Sequence, residues 1–249
     1  MDWGSLAGLV LALAAIAGGQ WVEGGRLGAL MQPAALVIVV GGTLGAVLLQ
    51  NGMGTLWRGL RLAGKAFSPQ PPFYEALIAS IQGWSKTARA DGFLQLERYL
   101  TDQRDPFIAK GIRMLVDNVD AETLRSILET DIDSYERWER QSIRVWEAAG
   151  GYAPTIGILG AVLGLMRVMD NLGEPALLGS GIAVAFVATV YGVGLANLVC
   201  LPIANKLKKQ LALELLKRTM LADALVSIAR GENSAVIQER MNSHWQHGG

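Results

Sequence analysis

The chain gathers its apolar residues into four blocks, Trp3–Gly19, Pro33–Leu49, Tyr152–Met169 and Leu177–Ile203, and its charges into the stretches between them. A bilayer core takes about 17–25 mostly apolar residues per helix, so each block predicts a membrane-spanning helix. Between the first two, Gln20–Gln32 carries Glu23, Arg26 and several glycines; between the last two, Asp170–Gly179 carries Glu174 and Pro175. Both predict short loops in water. Arg167, near the end of the third block, has a stem long enough to snorkel to the interface. The run Trp3–Gly18 ends in small residues, as a signal peptide does, but Asp2 is the only charge before it. Without a basic n-region it is expected to be a retained spanning helix.

The polar stretches carry a helical period. In Phe73–Leu100, apolar residues recur at Leu77, Ile81, Trp84, then Phe93, Leu96 and Leu100. Pro71-Pro72 precedes this run, and Asp105-Pro106 opens the next. Asp120 is placed to cap a charged helix, Ala121–Ala149, that runs into the third span with an interruption at Gly150-Gly151. Lys206–Ala229 continues the fourth span as an amphipathic helix with Leu211, Leu215 and Leu221 on its apolar side. From about Glu232 onward weak order is expected, and no strand alternation occurs. The pattern therefore predicts an all-α integral membrane protein. Four transmembrane helices carry a large helical insertion between the second and third, and a helical tail. The segments are 1–50 (helices 1 and 2), 51–150 (insertion), 151–205 (helices 3 and 4) and 206–249 (tail).

Charge orients this layout. Asn51–Gly151 holds Arg58, Arg61, Lys65 and ten further basic residues, and the tail opens with Lys206, Lys208 and Lys209. The short loops hold Arg26 alone, or Arg26 and Arg167. The positive-inside rule puts the insertion, the tail and both termini in the cytoplasm. Composition agrees, since 51% hydrophobic residues and 30 glycines exceed the usual share in a soluble domain. With 22 basic against 22 acidic residues there is no net field to attract nucleic acid. The single cysteine, Cys200, lies in an apolar run and reads as a buried, inert thiol.

Candidate chemistry is sparse. Small residues recur four apart at Gly4/Gly8, Gly41/Gly45 and Gly160/Gly164. In the fourth span Ala188, Gly192 and Ala196 form one row, and Gly181, Ala185 and Thr189 another. Such rows let helices approach closely in lipid, within one subunit or between several. Pro154, Thr155, Gly157 and Ala161 lie toward one end of the third span at offsets compatible with one face, and Thr189 and Tyr191 lie in the middle of the fourth. A threonine there either bonds its own backbone or offers oxygen to a hydrated path. Pro154 either opens a helix or frees a carbonyl inside one. No Asp or Glu lies in a span core. Intramembrane carboxylates mark proton relays, so a proton moving here takes its titratable group from another polypeptide. His244 and His247, the only histidines, have no partners at metal spacing, and no phosphate-binding loop is present. An enzyme is not expected, and no cofactor beyond a coupling ion.

The run Ala153–Leu165, APTIGILGAVLGL, resembles the third spanning helix of flagellar stator A subunits of the MotA/PomA type. Gly181–Asn197, GIAVAFVATVYGVGLAN, followed by Leu201–Lys206, LPIANK, resembles their fourth. The resemblance implies a homo-oligomeric ring of A subunits in the inner membrane around a pair of B subunits of the MotB/PomB type. The B subunits supply the membrane Asp, and ion flow past it turns the ring against the rotor switch-complex protein FliG. It further implies that Pro154 and Pro202 couple ion flow to movement. Arg89 and Glu97, solvated helix charges on the residues alone, become a pair facing the rotor. Sodium-type members carry a threonine where this chain has Ala161, alongside the one matched by Thr189. Hard cations seek oxygen donors and a methyl group offers none, so H+ rather than Na+ is the expected coupling ion. The alternative is an energising subunit of an ExbB/TolQ-like outer-membrane transport complex, whose members have three spans.

Overall fold

The computed structural model describes residues 3–25, 27–68, 73–101 and 103–248. Asp2, Arg26, Pro71 and Pro72 lie outside the described residues, as do the side chains of His244 and His247. Every regular element among the described residues is helical. The elements are α1 (Trp3–Val22), α2 (Pro33–Leu36), α3 (Gly42–Ala66), α4 (Tyr74–Asp91), α5 (Pro106–Val116), α6 (Ala121–Asp170), α7 (Pro175–Gly194), α8 (Leu201–Ala229) and α9 (Ser234–Gly248). Three stretches are long and apolar enough to cross a membrane, Pro33–Ala66, Ala121–Asp170 and Leu178–Ala229. The first predicted span is helical too, but its apolar stretch, Leu6–Val22, is shorter. The chain divides into two compact units, Met1–Pro69 with Arg140–Lys208, and Gln70–Glu139 with Lys209–Gly249.

In the first unit, α2 and α3 are joined by a π turn, Val37–Gly41, and α7 and α8 by another, Leu195–Cys200. The second turn has a local cause. Leu201 N–H bonds back to the Ala196 carbonyl, and Pro202, the next residue, has no N–H with which to continue an α-helical ladder. Within α3 the backbone breaks at Gly52 (φ 73°), just past the apolar stretch that ends at Leu49. Further along, the indole Nε1 of Trp146 donates to the Gly59 carbonyl at 2.8 Å, and Lys208 pairs with Glu147.

The interruption expected at Gly150-Gly151 is absent, because α6 is unbroken from Ala121 to Asp170. Glycine disfavours a helix interior by about 0.5–1 kcal/mol, but a Cβ on Gly150 would lie 2.6 Å from Leu201 Cδ2. Close packing against α8 outweighs the propensity.

The second unit has its own apolar core. Leu77, Ile81 and Trp84 of α4 pack with Ile112 and Leu115 of α5, Leu124 and Leu128 of α6, and Met220, Leu221 and Leu225 of α8. Of the three leucines expected on the apolar side of the tail, Leu211 and Leu221 are buried and Leu215 is half-buried. Asp105 starts α5 as expected: one carboxylate oxygen accepts from Phe107 N–H, and the other meets Lys217 Nζ at 3.1 Å. Asp120 caps α6 by accepting from the N–H groups of Glu122 and Thr123. Bonds from Thr123 and Glu122 hold its carboxyl below the usual range.

Two expectations fail in this unit. Phe73–Leu100 is not one helical run: α4 ends at Asp91, Gly92 takes φ 85°, and a separate 3-10 stretch follows at Phe93–Tyr99. A φ in that region favours glycine over any residue with a Cβ. The tail, expected to be weakly ordered from about Glu232, is helical over Ser234–Gly248. Ile237 and Met241, one turn apart in α9, are fully buried in the core. Asn242 Oδ1 accepts from the Tyr74 hydroxyl, and Arg240 pairs with Glu232 and donates to Ser227.

Candidate ion-pathway flank and rotor-facing charges

The last part of α6 and α7 lie antiparallel along a seam of glycine and alanine. A Cβ on Gly192 would sit 2.5 Å from the Ala153 carbonyl, and one on Gly157 2.9 Å from the Ala188 carbonyl. One on Gly164 would lie 2.8 Å from Ala185 N, and one on Gly181 2.7 Å from a methyl of Val168. Backbones in near contact give dispersion and packing energy where lipid offers no hydrophobic drive. Of the rows read from the sequence, Gly160, Gly164, Ala188 and Gly192 serve this seam, whereas Gly8, Gly41 and Gly45 face open space within the chain. Gly157 pairs with Gly192 across two helices, and a four-residue row cannot express such a relation.

α2–α3 cover one side of the seam. Gly160 faces Ile38 and Gly42 faces Ile156, while Ala35 and Val39 pack with Val187 and Ala188, flanked by Val184, Tyr191 and Leu195. At about 100° per residue, Pro154 and Ala161 emerge from α6 on the opposite side, and Thr189 does the same on α7. The structure thus brings Pro154, Ala161 and Thr189 to one open flank, bordered by exposed Ile158, Leu165, Ile182 and Val193. Thr155, about 160° around α6 from Gly157, is exposed and does not join them. Pro202 is exposed elsewhere, against a groove beside α1.

Chemically, the flank is apolar with a few polar features. Thr189 donates to the Ala185 carbonyl (3.4 Å) and Thr155 to the Tyr152 carbonyl (2.8 Å), so both hydroxyls bond their own helix. Each oxygen keeps acceptor lone pairs. Pro154 lies inside α6 rather than at its start. Lacking an N–H, it leaves the Gly150 carbonyl without its i+4 donor. Ala161 contributes a methyl and no oxygen. Among the described residues no cluster of His, Cys, Asp or Glu could hold a metal.

Arg89 and Glu97 are exposed on different elements, α4 and the 3-10 stretch, on either side of Gly92. The stretch is pinned by buried Leu96 and by a cluster in which the Arg98 guanidinium donates to Thr87 Oγ1 (2.6 Å), itself 3.1 Å from the Tyr99 hydroxyl. Bonds from Thr87 and then Arg98 hold the Tyr99 phenol below its ordinary pKa. The two outward charges therefore stand on a stiffened base.

These features define a class: an all-helical membrane subunit with a tight glycine seam and an open, carboxylate-free flank. Residues 100–220 match the model of the MotA/TolQ/ExbB proton channel family, and residues 6–92 that of the motility protein A N-terminal region. The chain is 35% identical over 248 residues to chemotaxis protein PomA of Vibrio alginolyticus, covering all of this chain and 97% of that one. It is 33% identical to motility protein A of Bacillus subtilis, over 97% and 90% of the two chains. Its fold matches the solved C. jejuni MotAB (TM-score 0.91, 25% identity, 98% and 96% of the chains). It also matches the flagellar MotAB stator complex of Bacillus subtilis (TM-score 0.86, 32% identity, 94% and 92% of the chains). The chain belongs to the MotA/TolQ/ExbB proton channel family and, within it, to the flagellar stator A subunits. Its work is motility at the inner membrane, as an ion-channel component rather than an enzyme.

Proposed function

We propose that the chain generates torque as the A subunit of a proton-driven stator, in a ring of copies around B subunits. The observation that carries this reading is the open flank at Pro154, Ala161 and Thr189, whose surrounding spans contain no carboxylate. A proton relay across the membrane uses a titratable group, and a partner helix bearing an Asp, seated on this flank, supplies it. The similar solved structures are of MotAB complexes, which supports a B-type partner and an oligomer. Four spans follow from the four apolar blocks, and the cytoplasmic location of both termini, the 51–150 insertion and the tail follows from the distribution of Lys and Arg. In that orientation Arg89 and Glu97 face the rotor protein FliG, and Pro154 and Pro202 carry ion passage into helix movement. The transport-complex alternative has less support, because the full-length relatives named above are motility and chemotaxis proteins.

The coupling ion is H+, since Ala161 removes an oxygen that a dehydrated Na+ would need. The test is swimming by a strain whose sole stator is this chain with its B subunit, in sodium-free potassium medium. Unchanged speed is expected, with arrest on addition of a protonophore. Loss of torque on removing sodium would overturn proton coupling.

A further inference from the structure

A groove of about 250 Å³ in the first unit is lined by Leu9 and Ala12 of α1, Phe67 at the end of α3, Leu198 of the π turn, and Pro202 and Lys206 of α8. Its walls are almost wholly apolar, and the Lys206 ammonium lies 5.5 Å from the centre of the Phe67 ring. Leu178–Ile203 is long enough to cross the hydrocarbon core, so Lys206, three residues beyond, marks the level where headgroups begin. We propose that this groove binds one acyl chain of an anionic phospholipid whose headgroup phosphate meets Lys206. Charge and size select this occupant. Basic groups at the mouth of a pocket between membrane helices recruit anionic headgroups, while the apolar interior repels water. A helix is about 10–12 Å across with its side chains, so a helix from a second copy does not fit the groove, whereas an alkyl segment does. The bound chain lies against Pro202, so lipid composition acts at a residue proposed to couple ion flow to movement.

The test is native mass spectrometry of the full chain, extracted from the membrane with its bound partners and mixed with dioleoyl phosphatidylglycerol or dioleoyl phosphatidylcholine. Wild type is expected to retain the anionic lipid preferentially. Lys206→Gln should lower phosphatidylglycerol retention about fivefold, the factor that one interfacial lysine contributes, and leave phosphatidylcholine unchanged. Ala12→Phe, which fills the groove, should lower both. Lys209→Gln, an exposed lysine of the same tail that does not line the groove, should change neither. Equal retention of the two lipids by wild type, or undiminished phosphatidylglycerol on Lys206→Gln, would overturn the proposal. A loss on Lys209→Gln equal to that on Lys206→Gln would do so as well, because it would reduce the effect to general interfacial charge.

Discussion

The Tyr191 hydroxyl, on α7, donates to the Leu30 carbonyl 161 residues earlier in the chain, and the same oxygen accepts from Gln32 N–H at 3.4 Å. One phenol thus satisfies two backbone groups of the turn that enters α2. The surroundings are apolar, with Ala35, Val39, Val184, Val187 and Leu195 in the same cluster. Backbone groups left without partners beside such a cluster cost about 1–3 kcal/mol each where water does not reach them. Tyr191→Phe keeps the ring packing and orphans both groups. The expected outcome is a lower melting temperature of the detergent-extracted protein and faster proteolysis at residues 27–32. Wild-type melting behaviour would show that water satisfies this turn instead.

The seam predicts a contrast between two glycines. On Gly192 a methyl would meet the Ala153 carbonyl at 2.5 Å, and the obstacle is backbone, which cannot rotate aside. Gly192→Ala must therefore spread α6 from α7 and forfeit packing along the whole seam. On Gly151, also inside α6, a methyl meets nothing within 4 Å. Gly151→Ala should be neutral or stabilising, by up to about 1 kcal/mol of helix propensity. Thermal denaturation of the two variants side by side checks the order. If Gly192→Ala melted no lower than Gly151→Ala, the seam would not be the contact that holds these helices.

What could be read from the sequence was local. Uninterrupted apolar runs announced three long apolar helices and a shorter one at Leu6–Val22, and Asp105-Pro106 and Asp120 announced helix starts, because each signal lies within a few residues of its effect. Relations across the fold were not legible. Gly150 stays helical because Leu201 packs on it, and Tyr191 has its role because Leu30 lies beside it. Ile237 and Met241 order α9 because a core elsewhere accepts them. Gly92 ends α4 by its backbone conformation, while the apolar period on either side runs on as if the helix continued. Of the residues expected at the ion path, the helical period places Pro154, Ala161 and Thr189 on one flank. The same period carries Thr155 away from them, and only the seating of α2–α3 reveals which flank is open.

Pro154 offers a separation of function. Pro154→Ala supplies the missing N–H to the Gly150 carbonyl and completes the ladder within α6, adding no bulk to the flank. The variant should insert and assemble at wild-type levels, measured by the membrane content of the chain and its copurified partner, while swimming is abolished. Normal motility of Pro154→Ala would remove the proline from coupling. Loss of the protein from the membrane would make its role one of folding.

Arg89 and Glu97 predict a loss of torque without a loss of conduction. Both are exposed, and neither pairs with another charge among the described residues. Reversing either leaves the core of the second unit intact, so stability should change by no more than about 0.5 kcal/mol. If the pair meets a charged partner, Arg89→Glu and Glu97→Arg should each slow swimming under viscous load, with proton conduction by the open channel unchanged. A charge reversal on the partner surface should recover part of the speed, because like-charge contact across an interface costs several kcal/mol. Gly92→Ala provides the geometric control. It strains a φ of 85° and shifts the element bearing Glu97 relative to the helix bearing Arg89, with both charges retained. Slow swimming in all three variants would point to a rotor contact fixed in both charge and position. Full speed in both charge reversals would leave Arg89 and Glu97 as solvated surface charges.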